Sequence, residues 1–103
     1  MSKIRVELFV AWPPTSLCVQ LMDLTKRVTR EFGDRVEVNI YQRGQAYPVQ
    51  PTTGFMRVRK TIKLPAVLVD GELLAERDLP DEQKFRTAIR RAARRSRTRR
   101  GNT

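Results

Sequence analysis

A cysteine and the threonine three residues before it are the residues of this sequence best suited to chemistry. The chain has one cysteine, Cys18, and Thr15 stands at the start of the same predicted helix. A thiol is a nucleophile only as the thiolate, and the amide groups at a helix N-terminus lower its pKa. Thr15 could add a hydrogen bond to the sulfur, so the pair is a candidate catalytic site for single-thiol chemistry.

Basic residues that precede Pro65 form a second candidate site. We expect their loop to face the cysteine turn, where positive charge would stabilise the thiolate or bind an anion. A solvated loop is the alternative, and it is the usual role of such a run. The candidate anion-binding residues are Arg57, Arg59, Lys60 and Lys63.

Cys18 also has a purely structural interpretation. It falls on the apolar stripe of its predicted helix, which continues through Leu21, Thr25, Val28 and Phe32. A free cysteine is often a small core residue. The stripe favours the core interpretation over a reactive thiol, and the solvent exposure of the sulfur decides between them.

Composition excludes several classes of site. Histidine is absent and there is one cysteine, which excludes histidine-based triads, histidine metal ligands, cysteine-rich zinc sites and an internal disulfide. We predict no metal and no cofactor. The longest apolar run, residues 8–12, is far shorter than the roughly 20 residues that cross a bilayer. Together with the charges near residue 1, this predicts a soluble, intracellular protein of the cytoplasm.

Most of the net charge of +10 lies at one end of the chain. Residues 1–83 hold all eleven acidic residues and twelve basic ones, whereas residues 84–103 hold nine basic residues and no acid. Such a segment attracts polyanions through counterion release. The alternative is a solvated helix end, which the lack of aromatic residues for base stacking favours. The candidate nucleic-acid-binding residues are Arg90, Arg91, Arg94, Arg95, Arg97, Arg99 and Arg100.

The first 41 residues have the pattern of a strand, a helix and a second strand. Apolar residues alternate along residues 4–10, and Trp12-Pro13-Pro14 ends that strand because proline cannot donate to a ladder. A helix is predicted from an N-cap at Thr15 or Ser16 to about Phe32, closed by Gly33, and a strand over residues 35–41. Such a unit predicts two parallel strands joined by the helix.

The rest of the chain predicts a hairpin and a final helix. Residues 42–63 have a weak pattern, with a short helix or turn near 54–61. Residues 66–69 form a buried strand, Asp70-Gly71 is a strong turn signal, and residues 73–76 return as the partner strand. A helix then runs to Ala93, beyond which order should fade. With 103 residues and 40% hydrophobic content, this is one α/β domain with a four-stranded mixed sheet covered by helices.

Two segments, together with this order of elements, resemble the thioredoxin-like superfamily. The segment from Phe9 to Cys18 occupies the place of that family's Cys-x-x-Cys turn, and residues 61–71 are similar to its cis-proline loop and following hairpin. The resemblance implies a thioredoxin-like domain over residues 1–94, with a basic, disordered tail over 95–103. It also implies a cis Pro65 that presents the Leu64 backbone to an extended partner. Trp12, next to the site, is either a further binding residue or a cap on the edge of the core, and Pro14 is a further candidate binding residue.

The active-site turn departs from the family at its first cysteine, where this sequence has Thr15. A two-cysteine disulfide cycle is therefore impossible within the chain. We predict a degenerate site that binds a protein or peptide. One alternative is a monothiol redox enzyme, either a thiol-transferase or peroxidase-like. The Thr-x-x-Cys spacing is also similar to peroxiredoxins, although Ala11 stands where they have a proline. A second alternative is a nucleic-acid or polyanion adaptor that uses the arginine-rich end.

Overall fold

The described part of the chain contains four strands and three helices. The structure, a computed structural model, describes the backbone of residues 3–101 and the side chains of residues 3–95. The strands are β1 (Ile4–Val10), β2 (Val36–Gln42), β3 (Ala66–Val69) and β4 (Glu72–Glu76). The helices are α1 (Ser16–Arg30), α2 (Thr53–Val58) and α3 (Glu82–Gly101), and a 3₁₀ turn spans Gly33–Arg35.

The strands form one mixed sheet in the order β2-β1-β3-β4. β1 and β2 are parallel and are connected through α1, whereas β3 is antiparallel to both of its neighbours. The prediction of an α/β fold with a four-stranded mixed sheet is confirmed, as is the predicted order of the elements.

Local sequence explains where α1 begins and ends. Thr15 is its N-cap, because the Thr15 Oγ1 accepts a hydrogen bond from the Cys18 backbone N–H at 3.2 Å. The helix ends at Arg30, and Gly33 has a φ of +56°, a left-handed conformation that glycine adopts without steric cost. The predicted cap at Thr15 is confirmed. The helix stops two residues before Phe32 with Glu31 as its C-cap, so Gly33 does not close the helix as predicted but begins the 3₁₀ turn.

The hairpin between β3 and β4 also follows its sequence signal. Asp70 and Gly71 have φ angles of +53° and +84°, the positive values that a tight two-residue turn requires. The Asp70 backbone N–H donates to the Arg5 carbonyl at 2.7 Å, which ties this turn to the beginning of β1. The turn therefore marks one end of the sheet, and the last residues of β1 mark the other.

The main core lies between one face of the sheet and the helices α1 and α3. The predicted apolar stripe of α1 is buried at Cys18, Leu21, Thr25 and Val28. Phe32, which follows the end of the helix, is buried as well. α3 contributes three buried side chains, Phe85, Ile89 and Ala92. The sheet contributes the alternating residues Ile4, Val6, Leu8, Val10, Val67 and Val69.

A second, smaller cluster covers the opposite face of the sheet. Phe55 of α2 is fully buried, and its ring centroid lies 5.2 Å from that of Phe9 and 4.6 Å from that of Tyr41. Ile62, Ala66 and Leu68 complete the buried part of the cluster. The alternation along β1 predicts one apolar face, but both faces are covered because α2 and its flanking loops pack on the second one.

α3 continues past the predicted domain boundary at residue 94, and its backbone is helical to Gly101. The side chains of residues 96–101, and residues 102 and 103 altogether, lie outside the described part of the chain. The disorder predicted for residues 95–103 stays a prediction. Within the described residues, none of the helices has the length and apolar character needed to cross a membrane.

Candidate functional site

The turn after β1 and the segment before β3 meet at one end of the sheet. In the antiparallel register Phe9 pairs with Ala66, so the residues that follow Val10 lie beside those that precede Ala66. Two backbone hydrogen bonds bring further loops to this end. The Arg43 N–H donates to the Val10 carbonyl at 3.0 Å, and the Arg77 N–H donates to the Pro65 carbonyl at 2.8 Å. We call this end, with residues 11–18 and 63–65, the proline end of the sheet.

Thr15 and Cys18 are joined by two hydrogen bonds. The Thr15 hydroxyl donates to the Cys18 Sγ at 3.2 Å while its oxygen accepts from the Cys18 backbone N–H, also at 3.2 Å. The threonine thus caps the helix and holds the sulfur at once. The hydrogen bond that we expect between Thr15 and the Cys18 sulfur is present. Cys18 is also only 1% exposed, as its place on the apolar stripe of the helix predicts.

Opposing effects act on the pKa of the Cys18 thiol. Burial raises the pKa, since it penalises the thiolate, whereas the Thr15 hydroxyl and the backbone of Ala11, Thr15 and Cys18 itself lower it by hydrogen bonding. The hydrogen bonds prevail, and the pKa lies below its ordinary value. The site therefore makes the thiolate easier to form than at a free cysteine but shields the sulfur from solvent, so reaction with a large disulfide requires the turn to open.

The predicted binding residues of the proline end differ in exposure. Trp12 is 54% exposed and Pro14 is exposed, whereas Leu64 is half-buried and Pro65 is buried. The Trp12–Pro13 and Leu64–Pro65 peptide bonds are both cis. Among the described residues, no hydrogen bond is made by the Leu64 backbone N–H or carbonyl. The indole of Trp12 is therefore open to an incoming chain and the ring of Pro65 is not, while the Leu64 backbone has hydrogen-bonding groups without a partner among the described residues.

The four basic residues before Pro65 are spread over two parts of the fold, and only Lys63 belongs to the proline end of the sheet. Arg57 lies on α2, which packs on the face of the sheet opposite α1. Arg57, Lys60 and Lys63 are exposed and Arg59 is half-buried. Within the described residues, none of the groups that shift the Cys18 pKa is a basic side chain. The corner of sulfur and positive charge that we expect and an anion site on these four residues both stay predictions.

The candidate nucleic-acid-binding arginines lie along α3, away from the proline end. Arg90, Arg91, Arg94 and Arg95 are exposed. The side chains of Arg97, Arg99 and Arg100 lie outside the described part of the chain. The described arginines therefore form a surface of their own, separate from Thr15 and Cys18.

The structure contains a buried carboxylate, that of Glu7, which the sequence patterns do not predict. It is fully buried in β1, and its Oε2 accepts from the Tyr41 hydroxyl at 2.7 Å and from the Thr52 N–H at 2.9 Å. Its Oε1 accepts a short hydrogen bond from the Thr52 hydroxyl. Arg5 adds a cation 3.9 Å from Glu7 Oε2. Because Thr52 is also the N-cap of α2, Glu7 fixes this helix to the sheet.

Tyr41 and Arg5 extend the Glu7 network across β2. Burial and the hydrogen bond to Glu7 raise the pKa of Tyr41, so the phenol stays protonated and remains a donor. Arg5 donates to the Tyr41 hydroxyl at 3.1 Å and to Asn39 Oδ1 at 3.0 Å. The sequence carries one signal of this network. Arg5 and Glu7 share a strand face, and their parallel partners Glu37 and Asn39 are also polar.

The side chains of residues 3–95 contain no group of three or more cysteine, aspartate or glutamate residues arranged to hold a metal ion. The chemistry of the described site is therefore that of one sulfur, one hydroxyl and an exposed indole.

Comparison with known proteins gives structural likeness alone. No family model matches the sequence, and no curated protein matches it. Among solved structures, the chain is similar to the protein of unknown function SA0789 from Staphylococcus aureus, with a TM-score of 0.58 and 12% sequence identity. The likeness covers 90% of this chain and 94% of that one. It extends over the whole fold and carries no functional assignment.

Proposed function

We propose that this chain is a thioredoxin-like protein with a degenerate active site, which binds an extended segment of a protein or peptide. Support for the fold comes from the strand order β2-β1-β3-β4 and from the helices on both faces. The order of elements from β1 to α3 is the one on which the resemblance rests. Thr15 and Cys18 then correspond to the first and second cysteine positions of the family.

The observation that carries the proposal is an exposed indole beside a shielded sulfur. Trp12 is 54% exposed, and Cys18, six residues further along the chain in the first turn of α1, is 1% exposed. Tryptophan contributes strongly to protein interfaces because it buries a large apolar area and offers one hydrogen-bond donor. The accessible group of the turn is therefore suited to contact rather than to thiol exchange.

The backbone beside Pro65 gives the partner a second contact. The Leu64 N–H and carbonyl make no hydrogen bond among the described residues, so an extended chain can pair with them. Leu64 is half-buried and lies at the same end of the sheet as Trp12. A chain laid across the proline end would pair with Leu64 and cover the indole.

A monothiol enzyme is the second candidate, and the lowered pKa of Cys18 favours it. A thiolate at neutral pH is the form that attacks a peroxide or a mixed disulfide. Peroxide is small enough to reach a sulfur through a brief opening of the turn, whereas a protein disulfide is not. This candidate requires Cys18 to react in the folded protein, which separates it from the binding proposal.

Binding can be measured with an unfolded chain as the probe. We expect reduced, carboxymethylated α-lactalbumin, labelled with a fluorophore, to bind the protein and to raise the fluorescence anisotropy. The variant Trp12→Ala should weaken this binding by roughly tenfold or more, as removal of a central tryptophan does at other interfaces.

Leu73→Ala is the matched control. Leu73 is 40% exposed, but it lies on β4 near the Asp70-Gly71 turn, at the opposite end of the sheet. Equal weakening by the two variants would contradict the proposal, because general surface stickiness affects both ends alike. Sustained reduction of insulin disulfides with dithiothreitol, abolished by Cys18→Ser, would contradict it as well.

A further inference from the structure

The outward face of α3 carries a dense positive charge that the proposed peptide site does not use. Residues 84–103 hold nine of the 21 basic residues and none of the eleven acidic ones. Arg94 follows Arg90 by four residues and Arg91 by three, and Arg95 follows Arg91 by four, so their charges are neighbours on the helix surface. We call these four residues the α3 arginine face.

Acidic residues of the body neutralise the two edges of the helix but not its centre. On one edge, Arg86 pairs with Glu31 at 2.9 Å, and Arg90 pairs with the same carboxylate at 3.5 Å. On the other edge, Arg95 lies 3.5 Å from Glu72. Arg91 and Arg94, between these edges, are exposed and make no ion pair within the described residues.

The helix extends beyond the core that anchors it. Ala92 is the last buried residue of α3 within the described side chains, yet its backbone is helical to Gly101. At roughly 1.5 Å per residue, the nine residues from 93 to 101 extend about 13 Å past that anchor. The basic sequence is thus presented on a helical rod that leaves the body of the protein.

The composition of this rod selects among polyanions. All five basic residues of the rod are arginine, whose planar guanidinium binds phosphate oxygens in pairs. Residues 94–103 include no aromatic residue for stacking on unpaired bases, and no large apolar residue for insertion into a lipid surface or for anchoring in an acidic protein. What remains is charge without apolar contact, which fits a backbone of regularly spaced phosphates.

We propose that the α3 arginine face binds the phosphate backbone of duplex DNA, without sequence preference. The major groove of B-DNA is about 12 Å wide and admits an α-helix, whereas the corresponding groove of duplex RNA is too narrow. Arg91 and Arg94 contact phosphates directly. Arg90 and Arg95, at the edges of the bound surface, either exchange Glu31 and Glu72 for phosphates or remain paired with these carboxylates.

The test is a salt titration of binding to a labelled 20-base-pair duplex with the full-length protein. We expect log K to fall linearly with log[NaCl], by about 0.9 for each phosphate contacted. The double variant Arg91→Gln/Arg94→Gln should reduce the magnitude of that slope by about 1.8. The double variant Lys26→Gln/Arg43→Gln removes the same charge from exposed positions on α1 and in the loop after β2, and should leave the slope unchanged.

Three results would overturn the proposal. One is equal loss of slope in the two double variants, which would mean that net charge alone attracts DNA. Another is tighter binding to a single strand or to an RNA duplex of the same sequence than to the DNA duplex. The third is binding to phosphatidylserine vesicles or to polyglutamate without binding to duplex DNA, which would assign the surface to a membrane or an acidic protein. Circular dichroism confirms that each variant keeps its helix content.

Discussion

Replacing Glu7 with alanine should lower the free energy of unfolding by about 3–5 kcal/mol. The variant removes a fully buried carboxylate and leaves the Tyr41 hydroxyl and both the N–H and the hydroxyl of Thr52 without their acceptor. It also removes the negative charge 3.9 Å from the Arg5 guanidinium. Unpartnered buried donors keep the full cost of desolvation. Equilibrium unfolding in urea measures the effect as a lower midpoint with an unchanged slope.

Glu37→Ala is the matched control for Glu7→Ala. Glu37 is a glutamate on the adjacent strand β2, it accepts one hydrogen bond from Asn39 at 3.0 Å, and it is only half-buried. Its removal should cost about 1 kcal/mol or less. In the double variant Glu7→Ala/Tyr41→Phe the loss should be smaller than the sum of the single losses, because both remove the same hydrogen bond. Equal losses from Glu7→Ala and Glu37→Ala would disprove the anchoring role of Glu7.

Gly54→Ala should also destabilise the protein, by about 3 kcal/mol or more, because the added methyl group has no space. A Cβ atom at Gly54 would lie 1.8 Å from the Gly71 carbonyl oxygen and 2.6 Å from its carbonyl carbon. Both obstacles are backbone atoms of the tight turn and cannot rotate away. α2 would have to move off the turn, which strains the contacts of Thr52 with Glu7 and of Phe55 with the sheet.

Thr53→Ala gives the control for Gly54→Ala. Thr53 precedes Gly54 on the same helix and is exposed, so its replacement should change stability by no more than about 0.5 kcal/mol. The midpoints of thermal unfolding of Gly54→Ala and Thr53→Ala, measured at equal protein concentration, compare the two losses of stability. A Gly54→Ala protein as stable as Thr53→Ala would show that α2 and the hairpin turn are not in rigid contact.

Most of the fold could be predicted because its signals are local. The alternation in β1, the stripe of α1 from Cys18 to Val28 and the Asp70-Gly71 turn each involve residues close in sequence. Short connections then limit how strands and helices can be arranged. The bounds of β1 and β3 agree with the predicted ranges 4–10 and 66–69, and α1 differs by two residues at its end.

The second face of the sheet could not be predicted because its contacts join distant residues. Glu7 meets Thr52 across 45 positions and Tyr41 across 34. Gly54 meets Gly71 through a backbone contact that no residue pattern encodes. A charged residue in an alternating strand usually indicates a solvated face, so Glu7 looks exposed in the sequence. The short helix α2 covers that face, and its weak pattern gives little indication that it does.

The hydrogen bond between Thr15 and Cys18 could be predicted from the sequence, but the residues that surround the sulfur could not. Capping preferences alone place Thr15 at the start of α1, three residues before Cys18, and the hydrogen bond to the sulfur follows from that spacing. Whether Arg57 lies near the sulfur depends on which face of the sheet α2 covers. That choice is made by Phe55, which packs with Phe9 and Tyr41 on the face away from α1.

The central claim is that the turn contacts a partner and does not carry out thiol–disulfide exchange with it. The accessibility of the Cys18 sulfur tests this claim most directly. This accessibility is measured by the rate at which iodoacetamide alkylates Cys18 at neutral pH, compared between the folded protein and the protein unfolded in denaturant. Because the folded pKa lies below its ordinary value, an accessible Cys18 would hold more thiolate than the unfolded chain. A sulfur that is 1% exposed should instead react about 100-fold or more slowly when folded, through brief opening alone. Folded protein that reacts as fast as the unfolded chain would contradict the account and favour the monothiol enzyme.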